Sequence, residues 1–504
     1  MSSLESRQID RETSQGFLES GIEAFKRNHF DEALHYLIQA TSDSKHKARA
    51  YRVLGNCLRT IGRVDEAILA YRNGLQHSYH PSTHQRLLNA LNYTLLPQKE
   101  IAREHREWGQ KTEHLAQASL ISASSQFFPK KGKSPIRVGF VSADLKSHPV
   151  ASFLLPIFKN YNKNHFQYIC YANDAHSDGM TKRCKELVNG WRIIKGSTTA
   201  LAREQIQKDG IDILIDLSGH TSGNRLDIFA LRSAPVQATY LGYPNTTGLS
   251  TVDYRFVDPV TDPPNIPKTW HTEKLYRMPG CFLCYEPPPD NLPVSAPPYV
   301  RKGHITFGSF NKSAKISSHC LELWVKILQK IPGSSLLLKS ITFESASEVN
   351  RFRNRCHELG LEDIQRIDCR RPLRYRKKHL DLYNEMDIAL DTFPYNGTTT
   401  TFQALFMSTP VLTLRGSSHV ARVSSSILHA MGLGELIASD PEQYVDIAVA
   451  LANNKHKIDT YKRTLREKLL NSPLVDGPRF VTHLESAFLE MLKANNASVA
   501  QETR

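Results

Sequence analysis

The stretch IRVGFVSADLKSHPVASFLLPIFKNY, residues 136–161, decides the fold. Its opening run is rich in β-branched and aromatic side chains and ends at Ser-Ala-Asp, which reads as a buried strand. ASFLLPIFKNY then reads as a helix. Working outward, the alternation continues with FQYICYA as a strand, MTKRCKELVNGW and ALAREQIQKDG as helices, and IDILIDL as a strand. Strands alternating with helices predict a parallel sheet covered on both faces. A second series follows a proline-rich connector. Ile305–Phe310, SSLLLKS, MDIALDT and PVLTL read as strands; CLELWVKILQKI, SEVNRFRNRCHELG and TTTFQALFM read as helices. EQYVDIAVALANN and RFVTHLESAFLEMLKA close the chain as helices. Two such halves face each other across a cleft, and ligands of open α/β sheets bind beyond the carboxyl ends of the strands.

Upstream lies a different pattern. Gly21 in GIEAFKRNHFDEALHYLIQA and Gly55 in GNCLRTIGRVDEAILAYRNGL are 34 residues apart, the period of a tetratricopeptide helix pair. Small residues there let antiparallel helices approach, with Phe25, Phe30, Leu34 and Leu37 inside one unit and Leu54, Leu58, Ile68 and Tyr71 inside the next. Residues 84–115 supply further helices that cap the stack. The repeat reads equally as a peptide-binding groove or as a packing module for the next domain. The expected order is helical repeats over 14–115, one Rossmann-like domain over 134–286, a connector over 287–300, and a second Rossmann-like domain with closing helices over 301–493.

Composition narrows the function. At 40% hydrophobic and 23% charged, the 504 residues form a globular protein, and length alone suggests about three domains. No apolar run is long enough to span a membrane, and the opening MSSLESRQIDRETSQ lacks the apolar core of a secretory signal. Eight cysteines are too sparse for a disulfide framework, and Cys281 and Cys284 have no partner pair for zinc. A cytoplasmic setting is expected. Lys+Arg exceed Asp+Glu by 14, which suits an anionic partner or is solvated surface. The cluster RRPLRYRKKH, residues 370–379, lacks the interleaved aromatics of a nucleic-acid surface.

The segment MDIALDTFPYNGTTTTFQALF, Met386 to Phe406, predicts a phosphate cradle. A strand ends at Asp391, a Pro/Asn/Gly turn follows, and Thr398 to Thr401 open a helix whose free N–H groups and dipole attract phosphate. GSFNKSAKIS adds Asn311, Lys312 and Lys315 on a loop after a strand. His148 lies in the first strand-to-helix loop and His220 at a later strand end, two histidines expected at one sheet edge facing the phosphate site. No G-x-G-x-x-G follows the first strand, and neither G-x-x-x-x-G-K-[ST] nor D-x-D occurs. The first two absences remove the main support for dehydrogenase and P-loop readings, and the third leaves no closely spaced carboxylate pair of the kind that holds a divalent metal.

These motifs, with ILIDLSGHTSGNRLDIFALRSAPVQATYLGYPNTTGLSTVDYRFVD and GLGELIA, resemble the protein O-GlcNAc transferase/SPINDLY family over about residues 14 to 493. The resemblance implies a GT-B pair of Rossmann-like domains behind a short tetratricopeptide repeat. It implies an inverting, metal-independent protein O-glycosyltransferase that needs no cofactor beyond its nucleotide-sugar co-substrate and acts on Ser or Thr of a polypeptide. By position, His148 matches the active-site histidine, Lys315 the lysine on the donor diphosphate and His379 the residue that packs on the base. Asn396 and Gly397 match the donor loop, Thr399 and Thr400 its phosphate-binding pair, and Asp209 only lies near a carboxylate implied in proton relay. Asn311, Lys312, Thr398 and Gln403 complete the expected donor site, and His220, Gly242, Tyr243 and Pro244 the expected lining. Thr398 and Gln403 depart from the family's GlcNAc transferases, which have histidine and an acidic residue there. The donor expected is UDP-GlcNAc, and these departures make GDP-fucose, used in part of the SPINDLY branch, the alternative; a non-catalytic repeat scaffold and a glycosyltransferase for small molecules are the competing functions.

Overall fold

The computed structural model describes residues 14–42, 45–118, 135–288, 292–373 and 375–502. Residue 134, and residues 289–291 of the expected connector, lie outside them. Six helices come first: α1 (Ser14–Lys26), α2 (Phe30–Ala40), α3 (Lys47–Thr60), α4 (Val64–His77), α5 (Pro81–Leu91) and α6 (Gln98–Ala118). The glycine reading holds. A Cβ at Gly55 would lie 2.5 Å from Tyr71 Cε1, and one at Gly21 would lie 2.7 Å from Leu37 Cγ, so each hairpin closes only around a missing side chain.

The first sheet contains β1 (Ile136–Ser142), β2 (Phe166–Ala172), β3 (Gly190–Ile193), β4 (Ile213–Asp216), β5 (Val236–Thr239), β6 (Tyr254–Val257) and β7 (Lys274–Arg277). Its order is β3-β2-β1-β4-β5-β6-β7, parallel throughout. The second contains β8 (Thr306–Ser309), β9 (Ser335–Lys339), β10 (Ile367–Arg370), β11 (Ile388–Leu390), β12 (Val411–Leu414) and β13 (Ile437–Ala438), in the order β10-β9-β8-β11-β12-β13, again parallel. Both sheets are doubly wound. The chain reverses direction beside β1 in one lobe and beside β8 in the other, so His148 and Lys315 follow the carboxyl ends of equivalent strands.

Apolar and polar contacts join the lobes. Phe402 stacks on Tyr285 at 4.6 Å and meets Phe153 edge-on at 5.5 Å. Asp262 of the first lobe accepts from His419 of the second at 2.5 Å, and Ser426 donates to Asp258 at 2.6 Å. Cys281, buried, accepts from Ser426 at 3.3 Å in this seam. The terminal helix, Gly477–Glu502, crosses back to the first lobe, where Phe488 packs on Phe166 and Phe256 and Glu485 accepts from the Asn162 N–H.

The repeat docks on both lobes. Thr60 O and Ile61 O at the end of α3 accept from Thr342 at 3.0 Å and Arg351 at 3.1 Å in the second lobe. On the first lobe, α6 presses Gly109 onto Gly248, whose φ of +79° is glycine territory. A Cβ at Gly109 would overlap the Gly248 carbonyl oxygen. Gly109→Ala is therefore expected to lose about 3 kcal/mol through overpacking, read as a lowered melting temperature.

Candidate active site

In the second lobe two loops knit together beyond the strand ends. Asp391, just past β11, is buried, and its Oδ1 accepts from the N–H groups of Thr392 at 2.9 Å and Gly397 at 2.7 Å. Its Oδ2 accepts from Thr413 on β12 at 2.8 Å. One carboxylate thus folds the whole 392–397 turn, and a Cβ at Gly397 would lie 2.5 Å from Thr400 Oγ1 and 3.1 Å from Asp391 Oδ1. The helix Thr399–Phe406 starts at the end of this turn, and Thr398 makes no side-chain cap, leaving the helix N-terminus open.

Lys315 joins the two loops. Its Nζ donates to Asn396 O at 2.7 Å and sits 4.2 Å from the centre of the Tyr395 ring. Burial pulls its ammonium down to about 7 against the opposing pull of Asp391. Ser317 donates to Phe393 O at 2.8 Å and Thr400 to Asn311 Oδ1 at 3.0 Å, so the predicted Asn311–Lys315 loop and the threonine helix form one unit. Asn396 Oδ1 is buried with no hydrogen-bond partner. Thr401 is a correction to the expected hydroxyl row: it is buried and bonded to Ser424 Oγ at 2.9 Å, facing the interior.

His379 is held from both ring nitrogens. Lys339, at the end of β9, contacts Nδ1, and Nε2 meets Gln403 Oε1 at 3.0 Å. An ammonium only donates and an amide oxygen only accepts, which assigns the neutral ring a proton on Nε2. Lys339 went unnoticed in the sequence; a lysine at the carboxyl end of an otherwise apolar buried strand was the available signal.

Across the cleft, His148 begins the helix Pro149–Asn160, and its Nδ1 accepts the Val150 N–H at 3.4 Å. Asp144 lies 3.8 Å from that nitrogen. Burial, then the Lys312 and Lys146 charges, lowers the imidazole below its usual range although Asp144 pulls the other way. The ring is therefore neutral at pH 7.

Three expectations fail. Asp209 caps the helix Thr199–Lys208 ahead of β4, and Arg137 at the start of β1 donates to its carbonyl, which places it at the foot of the sheet. There Arg192 and Tyr171 bind its carboxylate at 2.9 Å and 2.8 Å, a structural ion pair away from the cleft. His220 is buried under the repeat instead of facing the phosphate site: Trp108 meets its ring at 4.5 Å, and its Nε2 bonds Thr247 O at 2.9 Å. Tyr243 likewise turns to the repeat, bonding Asn92 at 2.7 Å and His105 at 2.8 Å. On the same loop, Gly242 is half-buried and packed on the Leu217 carbonyl, and Pro244 is half-buried beside it.

The first lobe repeats the Asp391 device. Asp216 ends β4, accepts from the N–H groups of Ser218 and Gly219 at 3.1 Å and 2.8 Å, and accepts from Thr239 on β5 at 2.8 Å. Burial raises this carboxyl to about 6. Equivalent strands therefore carry the same aspartate–glycine–threonine clasp, a loop anchor that the sequence reading did not pick out in either half.

Comparisons with known proteins agree with this architecture. The pattern of glycosyl transferase family 41 matches residues 63–286 and 296–484, and a tetratricopeptide repeat pattern matches 18–76. A tomato (Solanum lycopersicum) protein named probable UDP-N-acetylglucosamine–peptide N-acetylglucosaminyltransferase SPINDLY is 38% identical over 77% of this chain and 41% of its own length. The Arabidopsis thaliana protein of the same name ending in SEC is 30% identical over 71% of this chain and 37% of its own. The chain thus spans about two fifths of the length of such curated relatives. A solved mutant of Thermobaculum terrenum O-GlcNAc transferase superposes with a TM-score of 0.89 at 31% identity, over 98% of this chain and 93% of that one. With the family pattern covering both lobes in order, the chain belongs to glycosyl transferase family 41.

Proposed function

We propose that the chain transfers N-acetylglucosamine from UDP-GlcNAc to Ser or Thr hydroxyls of polypeptides, with inversion and without a metal ion. The observation that carries this reading is the joining of the Lys315 ammonium to the loop that opens the helix at Thr399. A nucleotide sugar leaves behind a diphosphate on which negative charge builds, and a buried ammonium beside open helix N–H groups stabilises that charge. Similarity to proteins named for UDP-GlcNAc and a peptide acceptor supports the choice of donor and acceptor. His379, fixed between Lys339 and Gln403, offers its ring to the base, and Asn311 and Thr400 line the diphosphate side. His148, neutral, takes up the acceptor's proton as the hydroxyl attacks opposite the leaving group. Among the described residues no cluster of three or more His, Cys, Asp or Glu is arranged to hold a metal, and no helix is long and apolar enough to cross a membrane.

Thermal unfolding with saturating UDP and GDP tests the donor: UDP is expected to raise the melting temperature more, because a ligand bound only to the folded state stabilises it. A larger shift with GDP moves the reading to GDP-fucose. Transfer in EDTA tests the metal-free step, and loss of activity restored by Mg²⁺ overturns it.

The pH profile of kcat/KM is expected to be narrow. The neutral His148 is lost as pH falls through its lowered value, and the charged Lys315 is lost as pH rises past about 7 in the free enzyme. A bound diphosphate pulls the lysine back up, so kcat should hold to higher pH than kcat/KM. A kcat/KM that stays flat from about pH 6 to 9 would contradict the Lys315 assignment, and one that rises below pH 6 would contradict the role of neutral His148.

A further inference from the structure

Most arginines of the repeat have acidic partners: Arg49 pairs with Glu19 at 3.2 Å, Arg63 with Glu66 at 2.5 Å and Arg72 with Glu104 at 3.2 Å. Arg52, Arg59 and Arg86 have no carboxylate in ion-pair range among the described residues. Their placement is regular. Arg52 and Arg59 are two turns apart on one face of α3, and Arg86 follows Arg52 by the repeat period of 34, at the same place on α5. The Nε atoms of Arg59 and Arg86 are buried without a hydrogen-bond partner. Burial, and after it the Arg52 and Arg59 charges, presses the Arg86 guanidinium below its usual range.

The row runs into the cleft. Gly62, just past α3, packs against Ser313 between Lys312 and Lys315, where a Cβ would lie 3.1 Å from the Ser313 carbonyl oxygen. Arg59 and Lys312 stand close enough that the arginine's charge, after burial, pulls the Lys312 ammonium below its usual range. Tyr93, which neighbours Arg59, stacks on Tyr395 at 4.8 Å, and Tyr395 carries Lys315 on its ring. Arg59 has the hydroxyls of Tyr71 and Tyr93 as partners, which hold its guanidinium charged, whereas Arg52 and Arg86 are half-buried with no carboxylate beside them among the described residues. Half-buried guanidinium groups are costly unless an anion completes them. Among the described residues, Asp144 acts on Lys312 and His148, and Asp391 on Lys315, and neither reaches the three arginines.

We infer that Arg52, Arg86 and Arg59 form an acceptor track on the inner face of the repeat, which takes an acidic stretch of polypeptide and leads its hydroxyl to the cleft at Lys312. This rests on the polypeptide acceptor proposed above and adds the chemistry that selects it. Asp and Glu carboxylates, or phosphate on neighbouring residues, satisfy the guanidinium forks.

The test uses the full chain and two fluorescein-labelled peptides with one central Ser, flanked by four Glu in one and four Gln in the other. Binding is followed by polarisation with UDP present and no sugar donor. The Glu peptide is expected to bind about tenfold tighter at low salt, as a few partly exposed ion pairs allow, with the preference fading near about 0.5 M salt. Arg52→Gln/Arg86→Gln should abolish the preference while UDP affinity and melting temperature stay unchanged; Arg103→Gln, on the exposed face of α6, should keep it. A third peptide with phosphoserine in place of two Glu separates the two sources of anion: equal binding assigns the row to any acidic group, tighter binding to phosphate. Equal binding of the Glu and Gln peptides, a preference that survives the double variant, or a loss confined to UDP binding overturns the inference. Failure of the transfer reading shows separately, as absent transfer with the peptide preference intact.

Discussion

Lys315→Met should lower the rate of sugar transfer about a thousandfold, the scale on which removal of one preorganised charge at a developing oxyanion is felt. The half-buried side chain spans from its own loop to Asn396 O and sets its Nζ over the Tyr395 ring, so its ammonium is held in place before any ligand arrives. Methionine keeps the hydrophobic length and removes only the ammonium. Lys315→Arg should rescue little, because the planar fork does not fit the point where Nζ meets a carbonyl at 2.7 Å over an aromatic ring. Single-turnover measurement separates the chemical step from product release. The expected pattern is a collapsed chemical rate with weaker UDP binding and an unchanged peptide affinity. Transfer at the wild-type rate in Lys315→Met would leave the chain as a repeat scaffold with an idle cleft.

Asp391→Ala should weaken nucleotide binding by about a hundredfold and lower stability by about 3 kcal/mol, the cost of orphaning buried donors. Two backbone N–H groups and the Thr413 hydroxyl lose their acceptor at once, and the turn that delivers Asn396, Gly397 and the helix start loses its anchor. Asp391→Asn divides the two roles. An amide keeps one acceptor oxygen, so the fold suffers less, but the negative charge that supports the Lys315 ammonium is gone. The lysine then deprotonates more readily, and the alkaline limb of kcat/KM should move to lower pH. Thr413→Val removes a single bond and serves as the mild comparison. Calorimetric titration with UDP and thermal unfolding measure the two effects; normal nucleotide affinity in Asp391→Ala would remove the carboxylate from the donor site.

Much of this was legible from residue patterns. β1, β2 and β9 are largely apolar runs whose central residues are buried on both faces, and such runs stand out against amphipathic helices. β3, β5, β6, β7 and β10 are as short as β4 and β12 but carry mixed sequences (GWRI, VQAT, YRFV, KLYR, IDCR) in place of an apolar run, so no pattern marks them and their pairing is decided by the neighbouring strand. The loop from Asp391 to Thr400 was readable as a helix entrance because its Gly and Thr have local reasons to be there. Asp391 itself was passed over, since an aspartate at a strand end has many bland uses and only tertiary contacts with Gly397 and Thr413 give it a role. His220 and Tyr243 were misplaced for the opposite reason. They do follow strands on the cleft side of the sheet, but α6, far away in sequence, covers them. Asp209 shows the same blindness at the other end: whether a carboxylate between helix and strand sits at the top or the foot of a sheet depends on where Arg192 and Tyr171 come to lie.

The helical array is bolted to both halves of the cleft, through Thr60 and Ile61 on one side and Gly109 on the other. A rigid strut fastened across two jaws limits how far they swing. On the proposed reading, donor exchange is expected to proceed by small loop adjustments and sideways entry, not by a wide clamshell gape. An acceptor chain lying along that strut would meet a mouth of nearly constant width, which favours thin extended segments over folded surfaces.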